Sequence, residues 1–388
     1  MKEPRNPFRF GPLALDEAFA NREVELKELK NDAINGQDAW IVAPRRYGKS
    51  SLVWRAMQEL ASERMLVAHV NLMTAPTKTK LAEKLARSIY EDVASPLERA
   101  REKALAPFRG LRVTPTVTVS PDDASLSFGF TSGREAADVD ATLERLFELP
   151  AELAAERGRR AVLIIDEFQE ILDIDPQLPK LMRTVFEQQP DTAHLYLGSK
   201  RHLMEKIFND ANEPFWRSAR QLELGPIDSK PFSAFIRKRF RDAGKDVSPK
   251  VTAELLDRSG GHPYATQEFC YFLWEATSPG AVAGFPEFER ALTALLRSEN
   301  THFTLLWDEA SSVQRVLLQA LAAEPGRPFT KEYRARHQLP PATNVQKALT
   351  ALRKRDLVQP RNGEQRIVEP FFDAWIRSVV TAEDEASN

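Results

Sequence analysis

The run Ala43-Pro44-Arg45-Arg46-Tyr47-Gly48-Lys49-Ser50 decides how the first half of this chain is read. It follows the pattern G-x-x-x-x-G-K-[ST] with alanine in the first position. An apolar stretch, Ala39 to Val42, precedes it and a helical one, Ser51 to Leu60, follows it. A loop in that setting wraps successive backbone N–H groups around phosphates at the positive end of the helix. Gly48 lets the backbone approach closely, Lys49 neutralises the β- and γ-phosphates, and the Ser50 hydroxyl ligates Mg²⁺. The loop from Ala43 through Ser51 is therefore the expected cradle for ATP. Alanine does not tolerate positive φ, so a small adjustment of the loop is expected at Ala43.

The partner motif is Val162-Leu163-Ile164-Ile165-Asp166-Glu167. Ala161 to Ile165 is apolar enough for a strand buried on both faces, and it delivers Asp166 to the strand end where open α/β sheets bind ligands. Asp166 is expected to hold Mg²⁺ through water, and Glu167 to orient or deprotonate the attacking water. Leu195-Tyr196-Leu197-Gly198-Ser199 ends a further strand, and Ser199 is placed to sense the γ-phosphate. Arg217 and Arg220, just before the last strand, are the candidates for stabilising transition-state charge, in cis or across a subunit boundary. His69, His194 and His202 have no ligand-like spacing.

Strand signals at Ala39–Val42, Met65–Leu72, Ala161–Ile165, Leu195–Leu197 and Gln221–Leu224 alternate with helical ones, among them Arg22 to Ile34 and Lys78 to Ala104. That rhythm predicts an α/β P-loop core with a parallel sheet covered on both sides. One segment, about 111–131, breaks it. Val113, Val117 and Val119, then Leu126, Phe128 and Phe130, alternate about the turn Ser120-Pro121-Asp122-Asp123, as in an inserted β-hairpin. From Asp228 to Asn300 the patterns are helical only. Residues 311–380 read as three helices and a strand pair around Asn362-Gly363, and Thr381 to Asn388 as a disordered acidic tail.

Composition narrows the setting. With 388 residues, two or three domains are expected at roughly one per ~150 residues. A formal charge of −2 excludes a protein that coats nucleic acid over its whole surface, so any such contact is local. The lone Cys270, and an N-terminus without the apolar core of a signal peptide, point to the cytoplasm.

These stretches together resemble a family. Phe19-Ala20-Asn21-Arg22-Glu23-Val24-Glu25-Leu26, the Pro44 to Leu52 loop, Ile165-Asp166-Glu167-Phe168-Gln169-Glu170, Leu197-Gly198-Ser199, Gly260-Gly261-His262-Pro263-Tyr264 and Val368 to Ile376 are similar to the archaeal-type ATPases of the AAA+/STAND group, which also occur in bacteria. The resemblance implies a RecA-like core over 1–226, a helical lid over 227–305 and a winged-helix domain over 306–380. It also implies Asn21-Arg22-Glu23 near the adenine, Pro263 packing on the base, and behaviour as a nucleotide-controlled switch. Around Arg217 the family's common Gly-Arg pair is missing.

In the third C-terminal helix, Val345, Ala348, Leu349 and Leu352 share one face, and Asn344, Lys347, Thr350 and Lys354 the other. Between Asn344 and Arg366 six basic residues stand against two acidic ones. In a winged helix that third helix enters the major groove, although such modules also dock proteins. Three functions therefore stand side by side: an ATPase switch, an ATP-gated DNA-binding initiator or mobile-element or defence factor, and a signalling scaffold that oligomerises on ATP.

Overall fold

The computed structural model describes the chain apart from residues 1–4, 12–18, 44–45, 94–107, 109–114, 121–122, 131–135 and 387–388. It divides into two compact units, Arg22–Gly225 and the combination of Met1–Asn21 with Pro226–Asn388.

In the first unit the strands are β1 (Ala39–Val42), β2 (Leu66–Asn71), β3 (Pro115–Ser120), β4 (Asp123–Phe130), β5 (Ala161–Asp166), β6 (Thr192–Gly198) and β7 (Arg220–Glu223). The helices are α1 (Glu23–Ile34), α2 (Lys49–Ser62), α3 (Lys78–Val93), α4 (Ala136–Glu156), α5 (Ile171–Ile174), α6 (Leu178–Phe186) and α7 (Arg201–Asn209). Five strands pair in the order β2-β5-β6-β1-β7, all parallel. Every residue of β1, β5 and β6 is buried, which is why Ala39–Val42, Ala161–Ile165 and Leu195–Leu197 read as apolar runs rather than alternating ones. Trp40 stacks on Phe208 with ring centroids 5.2 Å apart, and Phe168 packs on Tyr196 at 4.6 Å, fixing the segment after β5 against β6. The topology sets β6 between β1, which feeds the Lys49 loop, and β5, which carries Asp166.

The inserted hairpin is present as β3 and β4, paired antiparallel with Val117 opposite Phe128 and separate from the core sheet. Val113 and the Pro121-Asp122 turn lie outside the described residues, as does the expected continuation of α3 from residue 94 to 104.

The second unit holds α8 (Ser229–Asp242), β8 (Asp246–Val247), α9 (Pro249–Ser259), α10 (Pro263–Ala276), β9 (Val282–Ala283), α11 (Phe285–Ser298) and α12 (Asn300–Asp308). It continues with α13 (Ser312–Ala323), α14 (Lys331–Arg336), α15 (Ala342–Lys354), the antiparallel pair β10 (Val358–Arg361) and β11 (Glu364–Ile367), and α16 (Phe372–Ala386). Three expectations change here. The helical-only stretch contains a short parallel pair, β8 with β9, too brief to leave a period in the sequence. The last helix runs to Ala386, past the Thr381 at which a tail was expected. The N-terminal residues group with this unit and not with the sheet: Phe8, 1% exposed, packs on Phe240 at 5.2 Å, and the Asn6 amide donates to Tyr271 O at 3.1 Å.

One hydrophobic cluster runs through the whole second unit. Phe269 of α10 meets Phe371 at 5.3 Å, and Phe303 of α12 meets Phe372 at 5.4 Å, so the helical part and the winged-helix part share a core.

The joint between α9 and α10 shows why two glycines stand together. Gly260 and Gly261 have φ of +58° and +71°, which side chains rarely adopt. A Cβ on Gly260 meets nothing within 4 Å, whereas one on Gly261 stands 2.5 Å from Ile227 O. Gly260→Ala is therefore expected to cost about 1 kcal/mol of backbone strain, and Gly261→Ala clearly more. Urea unfolding of both variants checks the order; equal midpoints contradict it.

Candidate nucleotide site

β1 ends at Val42 and the loop returns through Gly48, the N-cap of α2. Gly48 has φ 82° and supplies no side-chain cap, so the first-turn amides of this 14-residue helix face the loop. Positive φ falls on Arg46 (67°) and Gly48 and not on Ala43, where the adjustment was expected; Ala43 is fully buried. Pro44 and Arg45 lie outside the described residues. Arg46 and Ser50 are exposed, while Tyr47, Lys49 and Ser51 are buried.

The Lys49 side chain runs to the ends of β5 and β6. Its Nζ lies 2.9 Å from Glu167 Oε1 and 3.3 Å from Asp166 Oδ1. Ser199 Oγ donates to Glu167 Oε2 at 2.8 Å. Asp166 is steadied by the Glu167 backbone N–H, which donates to Oδ1 at 2.9 Å, and by the Asn71 amide, which donates to Oδ2 at 3.3 Å. Lys49, Asp166, Glu167 and Ser199 thus converge as expected, at the C-terminal ends of parallel strands. Glu167 itself has φ 54°, a left-handed corner that turns its carboxylate back over the strand ends. Burial pushes the Glu167 carboxyl up, but the Lys49 charge and hydrogen bonds from Lys49, Gln169 and Ser199 outweigh it and hold it below its ordinary 4.5.

Arg22 is held against the loop that precedes α2. Its buried guanidinium donates to Gly225 O at 2.5 Å and Tyr47 O at 3.4 Å, and pairs with Glu25 at 2.7 Å. It braces the loop through the Tyr47 carbonyl, with its donors shared between backbone carbonyls and the Glu25 carboxylate. Pro263 opens α10 in the second unit, behind the N-cap His262. Arg217 and Arg220 are not brought to the carboxylates. Arg220 sits opposite Ala39 at the start of β7, about 10 Å of strand from the loop end at ~3.3 Å per residue, and pairs with Asp32 and Glu28. Arg217, three residues earlier, is exposed over the Trp216 ring at 5.4 Å. The cis arginine finger is thereby corrected: parallel strands separate these residues from the ends that carry Lys49 and Glu167.

Two residues given no role from the sequence belong to the site. Asn71 ends β2 in register with Asp166 and orients it. Gln169, 1% exposed, donates to Glu167 Oε2 at 2.6 Å. A polar residue closing a buried strand beside an acidic one was the available signal for Asn71. Gln169 left none, because its position depends on the turn at Glu167.

Comparison with known proteins agrees with this geometry. Residues 19–269 match the family described as an ATPase domain predominantly from Archaea, and residues 301–378 one described as a probable winged helix domain. The chain belongs to that archaeal-type ATPase family. Its fold is similar to that of the Walker-type ATPase of Pyrococcus abyssi, with a TM-score of 0.65 and 18% identity over 96% of this chain and 99% of that one. It is also similar to the ORC2 protein of Aeropyrum pernix solved as ADPNP-ADP complexes, with a TM-score of 0.54 and 16% identity over 99% of both chains. No match was found among curated proteins. The chain thus has an ATPase domain with the fold of these ATPases, followed by a C-terminal winged helix. Among the described residues no helix is long and apolar enough to cross a membrane.

The ion pair yields a pH test. Lys49→Met strands two buried carboxylates and is expected to destabilise the fold by about 1–3 kcal/mol at pH 7. The folded Glu167 value lies below the unfolded one, so its contribution is complete above about pH 4.5 and is lost as pH falls through the lowered value. The gap in melting temperature between wild type and Lys49→Met should therefore narrow on acidification. A gap that stays constant down to pH 3 contradicts the pairing.

Proposed function

We propose that this ATPase-family chain binds Mg-ATP at the Lys49 loop, hydrolyses it with Glu167 as general base, and uses the cycle to control its winged-helix module. The observation that supports this best is the convergence of Lys49, Glu167 and Ser199 at the ends of β1, β5 and β6. ATP brings phosphates to the mouth of α2, where Lys49 exchanges its carboxylate partners for phosphate oxygens. Glu167 is then freed to accept the proton of a water aimed at the γ-phosphate. Asp166 and Ser50 are oxygen donors that suit a hard divalent cation keeping several waters, and Asn71 already holds Asp166 in one orientation. Magnesium bound there would offset phosphate charge.

The Aeropyrum pernix ORC2 structure was solved with ADPNP and ADP, which favours an adenine nucleotide. In this reading Pro263 packs on the base, Arg217 serves a neighbouring copy as a finger, and the protein works in the cytoplasm as a switch of the STAND kind. Glu167→Gln should keep ATP bound while turnover falls roughly 10²–10⁴-fold. A variant that hydrolyses ATP like wild type contradicts the assignment.

A second reading, DNA contact by the winged helix, has its own observation. Val345, Ala348, Leu349 and Leu352 are buried as α15 was expected to bury them. Arg353 is drawn to Gln365 Oε1 at 2.9 Å, Arg355 to Glu309 at 2.6 Å, and Arg366 to Glu364 at 3.4 Å. Lys347, Lys354 and Arg361 remain exposed and pair with no acid among the described residues. If they meet phosphates, Lys347→Glu with Lys354→Glu should weaken duplex binding and reduce its salt slope by roughly one unit per lost contact. No duplex affinity in wild type at ~50 mM salt would leave a protein-docking module instead.

A further inference from the structure

We propose that Gln169 is a positioning residue that anchors the Oε2 edge of Glu167, so that Oε1 is the edge that meets the water once Lys49 has moved to the phosphates. This rests on the hydrolysis reading above. The donors around the carboxylate divide its two edges. Lys49 takes Oε1 at 2.9 Å, while Gln169 and Ser199 both donate to Oε2, at 2.6 and 2.8 Å.

The three donors differ in what else they can do. Lys49 is a charge on a flexible stem, and phosphates compete for it. Ser199 carries a hydroxyl that can rotate. Gln169 is fixed. It lies in the single turn Phe168–Glu170, almost wholly buried, and its Nε2 also donates to Glu170 Oε1 at 3.1 Å. Glu170 is in turn held by Lys200 at 2.9 Å. The Gln169 Oε1 has no hydrogen-bond partner, and the Gly198 backbone closes over it, since a Cβ there would stand 2.8 Å away. A flipped amide would set two acceptors 2.6 Å apart, so the N–H fork must face the two glutamates.

In the resting site both edges of Glu167 are occupied. Departure of Lys49 uncovers Oε1 alone, with the carboxylate plane still held through Oε2. In the step that follows, a water oxygen lone pair forms the bond to the γ-phosphorus. The bond from that phosphorus to the bridging oxygen breaks, its electrons leaving on ADP, and a water proton passes to Oε1. The donated hydrogen bond from Gln169 also stabilises the ionised carboxylate, in line with its lowered pKa.

Gln169→Leu keeps the bulk and removes the donor, and Gln169→Glu keeps the shape but sets a like charge beside Glu167. Both should bind ATP within about twofold of wild type, because neither touches the loop. Turnover should fall by about 10–100-fold as the base loses its alignment. The decisive readout is a double-mutant cycle on turnover with Glu167→Gln. If Gln169 acts through the Glu167 carboxylate, Gln169→Leu should cost less than about twofold further in the Glu167→Gln background. A loss there as large as in wild type overturns the anchoring, because lost packing alone would slow the enzyme in either background. A wild type that does not hydrolyse ATP overturns the hydrolysis reading, and with it the part given to Oε1.

Discussion

Lys49 bridges two adjacent carboxylates at the ends of neighbouring parallel strands, and the first unit is arranged so that this can happen. Three charges, each side chain at most about one-eighth exposed, would be costly to desolvate without mutual compensation and further hydrogen bonds. The sheet order supplies the compensation. With β6 between β1 and β5, the loop lysine crosses one strand to reach Asp166 and Glu167, and Ser199 at the end of that intervening strand adds a donor. The left-handed backbone at Gly48 and Glu167 turns both groups inward. Strain of this kind persists where surrounding packing over-determines it, here through Phe168, Tyr196 and Phe208 beneath the turn.

The same network makes the resting site self-satisfied. A carboxylate with donors on both edges and a depressed pKa is a poor base, and a lysine already paired is not waiting for phosphate. On the proposed reading, nucleotide displaces these internal partners before chemistry starts, and that change of pairing is the kind of event a switch needs. Within the second unit, the helical and winged-helix parts share a single aromatic-rich core.

Much of this was legible in the sequence. Five strands, the Lys49 loop, the Asp166-Glu167 pair, Ser199 and the buried stripe of α15 all follow from local pattern, since burial on both faces and helical period leave direct marks. What was missed depends on pairing between distant segments. Asn71 matters only because β2 lies in register with β5. That Arg220 begins its strand, away from Lys49 and Glu167, was also hidden, because motif order says nothing of which end of a parallel sheet a residue occupies. Likewise, the basic count from Asn344 to Arg366 overstated the unpaired charge, as Arg355 and Arg366 are drawn to acidic neighbours. The grouping of Phe8 with Phe240 left no period at all.

On the proposed reading, nucleotide takes Lys49 away from Glu167. The most direct measurement of this is the titration midpoint of the Glu167 carboxyl in wild-type protein, taken with and without a non-hydrolysable ATP analogue. Losing a cation 2.9 Å away and gaining phosphate charge nearby both favour the protonated form, so the midpoint should rise on binding, by at least about one pH unit. A midpoint that does not change when the analogue is bound would mean that Lys49 and Glu167 stay paired, and the account would be wrong.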